Sequence, residues 1–175
     1  MELFCKMTGA LLVVGSAWFF AGDKALELDT RLSQIMQLYS ILLQLKSELK
    51  YMNSTLPECF LELAKHVNAP FDRWLSSMGY EMENERTKCF ADIWMERLDE
   101  LQTESVLSKK EIELLGELQD KLIASDVDAS LKAIDYVLIR LEEGRELLKN
   151  EMQQRKKVLL SLCLFAGFII VILLF

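Results

Sequence analysis

A chain of 175 residues with a formal charge of −7, two prolines and seven glycines has room for one ordinary domain, and its wealth of Leu, Glu, Lys, Met and Gln favours helices over a turn-rich sheet protein. The acidity argues against a nucleic-acid partner, which would need clustered Lys and Arg, and against a bundle lying flat on anionic lipid. Glu2 and Lys6 cancel within the hydrophobic ends, so the excess of carboxylates belongs to the middle of the chain.

The first element is the apolar run from Met7 to Gly22, MTGALLVVGSAWFFAG, preceded by Lys6 and by Leu3-Phe4-Cys5. If Lys6 snorkels to the interface, the span begins earlier, which predicts an N-terminal transmembrane helix over 1–23. A cleaved signal peptide is the rival reading, because Gly15-Ser16-Ala17 supplies small residues near a cleavage point. The bulky Trp18-Phe19-Phe20 that follows, and a basic cluster at the other end of the chain, oppose it.

From Asp23 to Asn53 the apolar residues Leu28, Leu32, Ile35, Tyr39, Leu42, Leu45, Leu49 and Met52 recur in steps of three and four, the stripe of an amphipathic helix. Asp29, Arg31, Gln37, Lys46 and Lys50 fall on its other face and read as solvated. Asn53-Ser54-Thr55 ends this helix, and Thr55 with Glu58 reads as a capping box for a second one, with Pro57 tolerated in the first turn. Its apolar face is Leu56, Cys59, Phe60, Leu63, Ala64 and Val67. After the break at Asn68-Ala69-Pro70, a short third helix carries Phe71, Trp74, Leu75 and Met78 and is expected to end at Gly79.

A polar link over 81–84 leads to a fourth helix with Cys89, Phe90, Ile93, Trp94, Leu98 and Leu101 inward. Ser108 and Glu111 form a second capping box, opening a fifth helix through Ile112, Leu115, Leu118 and Leu122. The sixth begins near Ser125 or Asp126 and repeats Val127, Leu131, Ile134, Leu138, Leu141, Leu148 and Met152. No breaker lies between Lys149 and Val158, so this helix is expected to run directly into the uncharged stretch 158–175, VLLSLCLFAGFIIVILLF.

That stretch is long enough to span a bilayer. Arg155, Lys156 and Lys157 stand just before it, and the preference of Lys and Arg for the cytoplasmic side makes them topology determinants that place the middle domain inside. Gly9, Ala17 and Ala21 in one span and Cys163 and Gly167 in the other would permit the two helices to pair closely. The expected architecture is all-α: a cytoplasmic bundle of about six helices over 24–157, flanked by an N-terminal and a C-terminal transmembrane helix.

Little in the sequence carries chemistry. His66 is the only histidine; with Glu62 one turn earlier it is half a metal site without a second half, and reads as surface. Asp126-Val127-Asp128 lacks the other ligands and the glycine of a calcium loop, and reads as a helix cap. Cys5, Cys59, Cys89 and Cys163 read as small buried hydrophobes rather than a disulfide framework. No phosphate loop, serine elbow or Cys-x-x-Cys pair is present. The expectation is no catalysis, no cofactor, no metal and no small-molecule substrate. Trp74 and Trp94 fall on core stripes.

The stretch Glu48-x-x-Tyr51-x-x-Ser54-Thr55-Leu56-Pro57-Glu58-Cys59-Phe60 resembles the Glu-x-x-Tyr-x-x-Thr-Pro-Leu-x-Glu-Ala-Phe pattern of the stage III sporulation protein AB family. Glu48, Tyr51, Leu56, Glu58 and Phe60 match. Ser-Thr replaces Thr-Pro and a proline appears two places later, which leaves both Ser54 and Thr55 as candidate cap residues. The family's Leu-Gly-x-x-Leu-Gly-x-x-Asp is kept only as Leu118-Gln119-x-x-Leu122-Ile123-x-x-Asp126, with both glycines gone. Thr8-Gly9-Ala10 and the Leu-rich end containing Gly167 also agree.

The resemblance implies a membrane component of the channel complex between mother cell and forespore in endospore-forming bacteria. It further implies a fold similar to the cytoplasmic domains of the inner-membrane platform protein of type II secretion and type IV pilus machines. By that analogy the partners are the sporulation ATPase, stage III sporulation protein AA, other membrane subunits of the complex, and the lipid bilayer, in the mother-cell-derived membrane around the forespore. Glu48, Tyr51, Glu58 and Asp126 are the candidate partner-binding residues, since polar groups near helix ends are less readily explained by packing. A membrane-tethered regulatory bundle unrelated to secretion is the alternative reading.

Overall fold

Helix α1 (Glu2–Tyr51) carries the first hydrophobic run and the amphipathic stripe on one continuous backbone, as expected where no proline or paired glycine interrupts good helix formers. This computed structural model describes the backbone of residues 2–51, 55–85, 87–122 and 127–174, and the side chains of 26–51, 55–85, 87–122, 127–158, 161 and 165. Six further helices follow among the described residues: α2 (Leu56–Ala64), α3 (Phe71–Asn84), α4 (Phe90–Glu104), α5 (Lys109–Gly116), α6 (Gln119–Leu122) and α7 (Val127–Leu174). No strand occurs among them, and the all-α expectation holds. Residues 31–146 form one compact unit; residues 1–30 and 147–175 form another.

Among the described residues no helix is long and apolar enough to cross a membrane. The two expected spans, 1–23 and 158–175, fall almost wholly on side chains outside those described. The backbone does bear on continuity. α7 runs from Val127 to Leu174 without a break, so the last bundle helix and the terminal hydrophobic run are one helix.

Within 31–146 the core of α1 is Ile35, Leu38, Ile41, Leu42 and Leu45. Leu38 and Ile41 are buried although the expected stripe leaves them out, whereas Leu28, Leu32, Tyr39 and Leu49 are only half-buried. The polar side of α1 is not simply solvated. Gln37 Nε2 donates to Asn68 O at 3.3 Å, Gln34 Oε1 accepts from the Val106 N–H at 2.9 Å, and Lys46 Nζ pairs with Asp135 Oδ1 at 2.5 Å. α1 therefore holds the α2–α3 link, the α4–α5 link and α7 through side chains that helical periodicity assigns to water.

α2 starts as expected: Thr55 is its N-cap, and its backbone N–H donates to Glu58 Oε2 at 2.8 Å. Cys59, Phe60 and Leu63 are buried beneath it. The Ala69-Pro70 peptide that follows is cis.

α3 corrects the sequence reading. It does not end at Gly79 but runs on to Asn84, absorbing the expected polar link, and the actual link is 85–89. Gly79 is buried within the helix, and a Cβ there would lie 2.6 Å from Leu61 Cγ, 2.8 Å from Leu61 Cδ2 and 3.1 Å from Pro57 O. Its missing side chain serves the packing of α2 on α3, not a C-cap.

α4 is anchored by aromatic packing. Trp94 lies against Phe60, Trp74 and Phe90 with ring centroids 6.2, 5.5 and 5.5 Å away, and its Nε1–H donates to Leu115 O at 3.0 Å. Trp74 and Trp94 are thus core residues, as their stripes predict. Trp94→Phe keeps most of the apolar contact and removes one of two hydrogen bonds to the Leu115 carbonyl, which also accepts the Leu118 N–H at 3.2 Å. With the carbonyl still partnered, the expected cost is about 1 kcal/mol in thermal unfolding.

Cys89 does not point inward. It is the exposed N-cap of α4, and its Sγ–H donates to Asp92 Oδ2 at 3.0 Å. Only Cys59 of the described cysteines is a buried hydrophobe. The expected fifth helix is two, α5 and α6, divided at Glu117-Leu118. Leu115, Leu118 and Leu122 remain buried across the break, so the apolar period survives it.

Candidate docking site

Three of the four candidate partner-binding residues gather where α1 ends and α2 begins. Tyr51 closes the described part of α1 with 66% of its surface exposed. Glu48 is half-buried one turn earlier, on the same side of the helix. Glu58 stands exposed in the first turn of α2. Burial pushes the Cys59 thiol up, and the negative charges of Glu48 and Glu58 push it further. Both carboxylates therefore act on one spot, with Cys59 beneath.

The two glutamates differ in what else they do. The backbone N–H and hydroxyl of Thr55 hold Glu58 below the usual carboxylate range, so Glu58 is ionised at neutral pH while capping α2. Glu48 has no ion pair or hydrogen bond of its own among the described residues. Asp126 lies outside the described residues, as does Ser54, the other candidate cap. One turn beyond Glu58, Glu62 takes Lys65 Nζ at 2.5 Å and has His66 Nε2 at 3.5 Å, and these partners lower its pKa, Lys65 foremost. His66 is an exposed residue of this pair, and no group of three or more metal-ligating side chains occurs among the described residues.

Two further clusters escaped sequence reasoning. Arg97 bridges Glu81 at 3.1 Å, Glu96 at 3.2 Å and Glu100 at 2.6 Å, while Lys88 reaches Glu96 at 2.7 Å. The Lys88–Glu96 hydrogen bond raises the lysine and lowers the glutamate in pKa. The second cluster is Arg31 Nη2 with Glu111 Oε1 at 2.7 Å, where Glu111 is buried and its Oε2 accepts the Ser108 N–H at 2.5 Å. A capping box is legible in sequence; an arginine eighty positions earlier that completes it is not.

Arg155, Lys156 and Lys157, which the sequence reading expects to set topology, are all exposed on α7. Arg155 Nη2 pairs with Glu151 Oε1 at 2.6 Å.

Comparison with known proteins follows the same lines. The family described as stage III sporulation protein AB matches residues 6–175. The stage III sporulation protein AB of Bacillus subtilis (strain 168) is 24% identical over 169 residues, covering 97% of this chain and 98% of that protein. A solved structure of a stage III sporulation protein AB is similar with a TM-score of 0.66 at 22% identity, covering 71% of this chain and 97% of that one. The likeness establishes a shared fold.

Proposed function

The chain belongs to the stage III sporulation protein AB family, and from that premise we propose that it is a nonenzymatic membrane platform subunit of the sporulation channel complex between mother cell and forespore. Its bundle docks the complex's cytoplasmic ATPase, stage III sporulation protein AA, and other membrane subunits, and its terminal helices join the bundle to the mother-cell-derived membrane. The bundle itself faces the cytoplasm.

The observation that carries this reading is the single helix α7, which includes both bundle residues such as Ile134 and Leu141 and the hydrophobic run after Lys157. A continuous helix transmits a rotation or tilt that a flexible linker would absorb. The absence of any grouped nucleophile, base or metal ligand in the sequence leaves partner binding as the work available to the bundle.

The docking surface is Glu48, Tyr51 and Glu58, with Asp126 as the fourth candidate. Separating docking from folding requires care at Glu58, because it also caps α2. Glutamine retains a capping box while removing the charge. In pull-downs of the full-length protein with the ATPase, Glu48→Gln/Glu58→Gln and Tyr51→Ala are each expected to reduce recovery about tenfold with the thermal midpoint little changed. Undiminished recovery by Glu48→Lys/Glu58→Lys, folded as judged by circular dichroism, would reject this surface. Failure of the unaltered protein to bind the ATPase, with normal sporulation in a deletion strain, would reject the function.

A further inference from the structure

We propose that the basic turn of α7, Lys156 and Lys157 with Arg155, binds the phosphate headgroup of an anionic phospholipid. The inference rests on the membrane reading above and adds to it the chemistry of the lipid selected.

The charge pattern is local and one-signed. From Met152 to Val158 α7 carries three cations and no carboxylate, and the nearest carboxylate, Glu151, is taken by Arg155. Lys149, Lys156 and Lys157 are exposed and have no ion pair among the described residues. Lys156 and Lys157 are adjacent in the last turn before the run, whereas Lys149 stands about 13 Å before Val158, beyond the headgroup layer. Lys157 stands directly before Val158, the first residue of the hydrophobic run, and Val158 is itself 59% exposed. With that run in the bilayer, the ammonium groups of Lys156 and Lys157 reach the headgroup level, where each offers three donors to phosphate oxygens.

The rest of the molecule makes the selection specific to this place. The other hydrophobic run is followed by Asp23, Lys24, Glu27 and Asp29, a net acidic sequence that gains nothing from anionic lipid. The whole excess of carboxylates lies in the bundle and is repelled by such a surface. Anionic headgroups are therefore drawn to one point, the turns where the bundle helix becomes the hydrophobic run.

The test uses the full-length protein reconstituted into phosphatidylcholine vesicles with and without phosphatidylglycerol, then extracted in neutral detergent, with retained lipid read by native mass spectrometry. Retention of phosphatidylglycerol over phosphatidylcholine is expected to fall about tenfold in Lys156→Gln/Lys157→Gln and to survive in the corresponding double arginine variant. Glu151→Gln, which releases Arg155, is expected to raise it. Equal retention of both lipids by the unaltered protein, or undiminished phosphatidylglycerol in the glutamine variant, overturns the proposal. Full displacement by millimolar inorganic phosphate would identify a free-phosphate site and overturn the lipid assignment. Flotation distinguishes the two levels: a protein that does not float with vesicles loses both the membrane reading and this one, whereas flotation without lipid preference removes only this one.

Discussion

Glu111→Ala is expected to destabilise the bundle by about 3 kcal/mol, because it removes a buried carboxylate on which two otherwise unconnected contacts converge. One oxygen accepts the Ser108 N–H at the start of α5, and the other holds Arg31 of α1. The vacated position of a Cβ on Gly144 lies 4.0 Å from Glu111 Oε1, so α7 borders the same pair. In the alanine variant, Arg31 keeps its charge at 29% side-chain exposure with no carboxylate to receive it, and the Ser108 N–H loses its acceptor. The 3 kcal/mol is at the low end for a broken buried pair, since Arg31 keeps some access to water. A thermal midpoint lower by on the order of 10 °C is the expected readout.

Two further variants apportion the loss. Glu111→Gln keeps the capping geometry and removes only the charge, so it should cost less than alanine by about the value of a cap, ~1 kcal/mol. Arg31→Met combined with Glu111→Gln leaves neither charge buried and should lie closer to the unaltered protein than the summed single effects. Strict additivity of the two would mean that the pair is not energetically coupled.

Glu111 also marks where sequence reasoning stops. What depends on neighbours three or four residues away was legible: both capping boxes, the burial of Cys59, Phe60 and Leu63 in α2 and of Ile93, Leu98 and Leu101 in α4, the burial of Trp74 and Trp94, and the continuity of α7. What depends on a contact between elements distant in the chain was not. Arg31, Gln37 and Lys46 were assigned to water because a helical wheel registers polarity but not partners, and each meets a partner from a distant segment. Cys89 has apolar spacing yet sits at a cap, where geometry overrides period. At the proposed docking surface, Glu48, Tyr51 and Glu58 are singled out by the family motif, and the charges of Glu48 and Glu58 both push the buried Cys59 thiol up in pKa. Of the three glutamates around Arg97, Glu96 and Glu100 are its neighbours on α4, but Glu81 belongs to a different helix and had no local signal.

Gly79 is the most instructive of these cases, and it yields the sharpest test of how α2 and α3 pack. Read as a helix terminator, Gly79 would tolerate alanine only if its backbone allowed it. Read as a contact residue, it forbids a Cβ for steric reasons although its conformation is helical. Gly79→Ala gains about 1 kcal/mol of helix propensity but places a methyl 2.6 Å from Leu61 Cγ and 3.1 Å from the Pro57 carbonyl. Leu61 can turn aside only partly, because the contact is at its branch point, and the Pro57 oxygen is backbone in the first turn of α2. The expected net cost is about 1–2 kcal/mol, with Gly79→Val worse. In a Leu61→Ala background most of the clash disappears while the propensity gain remains, so the same Gly79→Ala change should become close to neutral or stabilising. A Gly79→Ala effect of the same sign and size in both backgrounds, measured by thermal unfolding, would show that the approach of α2 to α3 is not what requires glycine at this position.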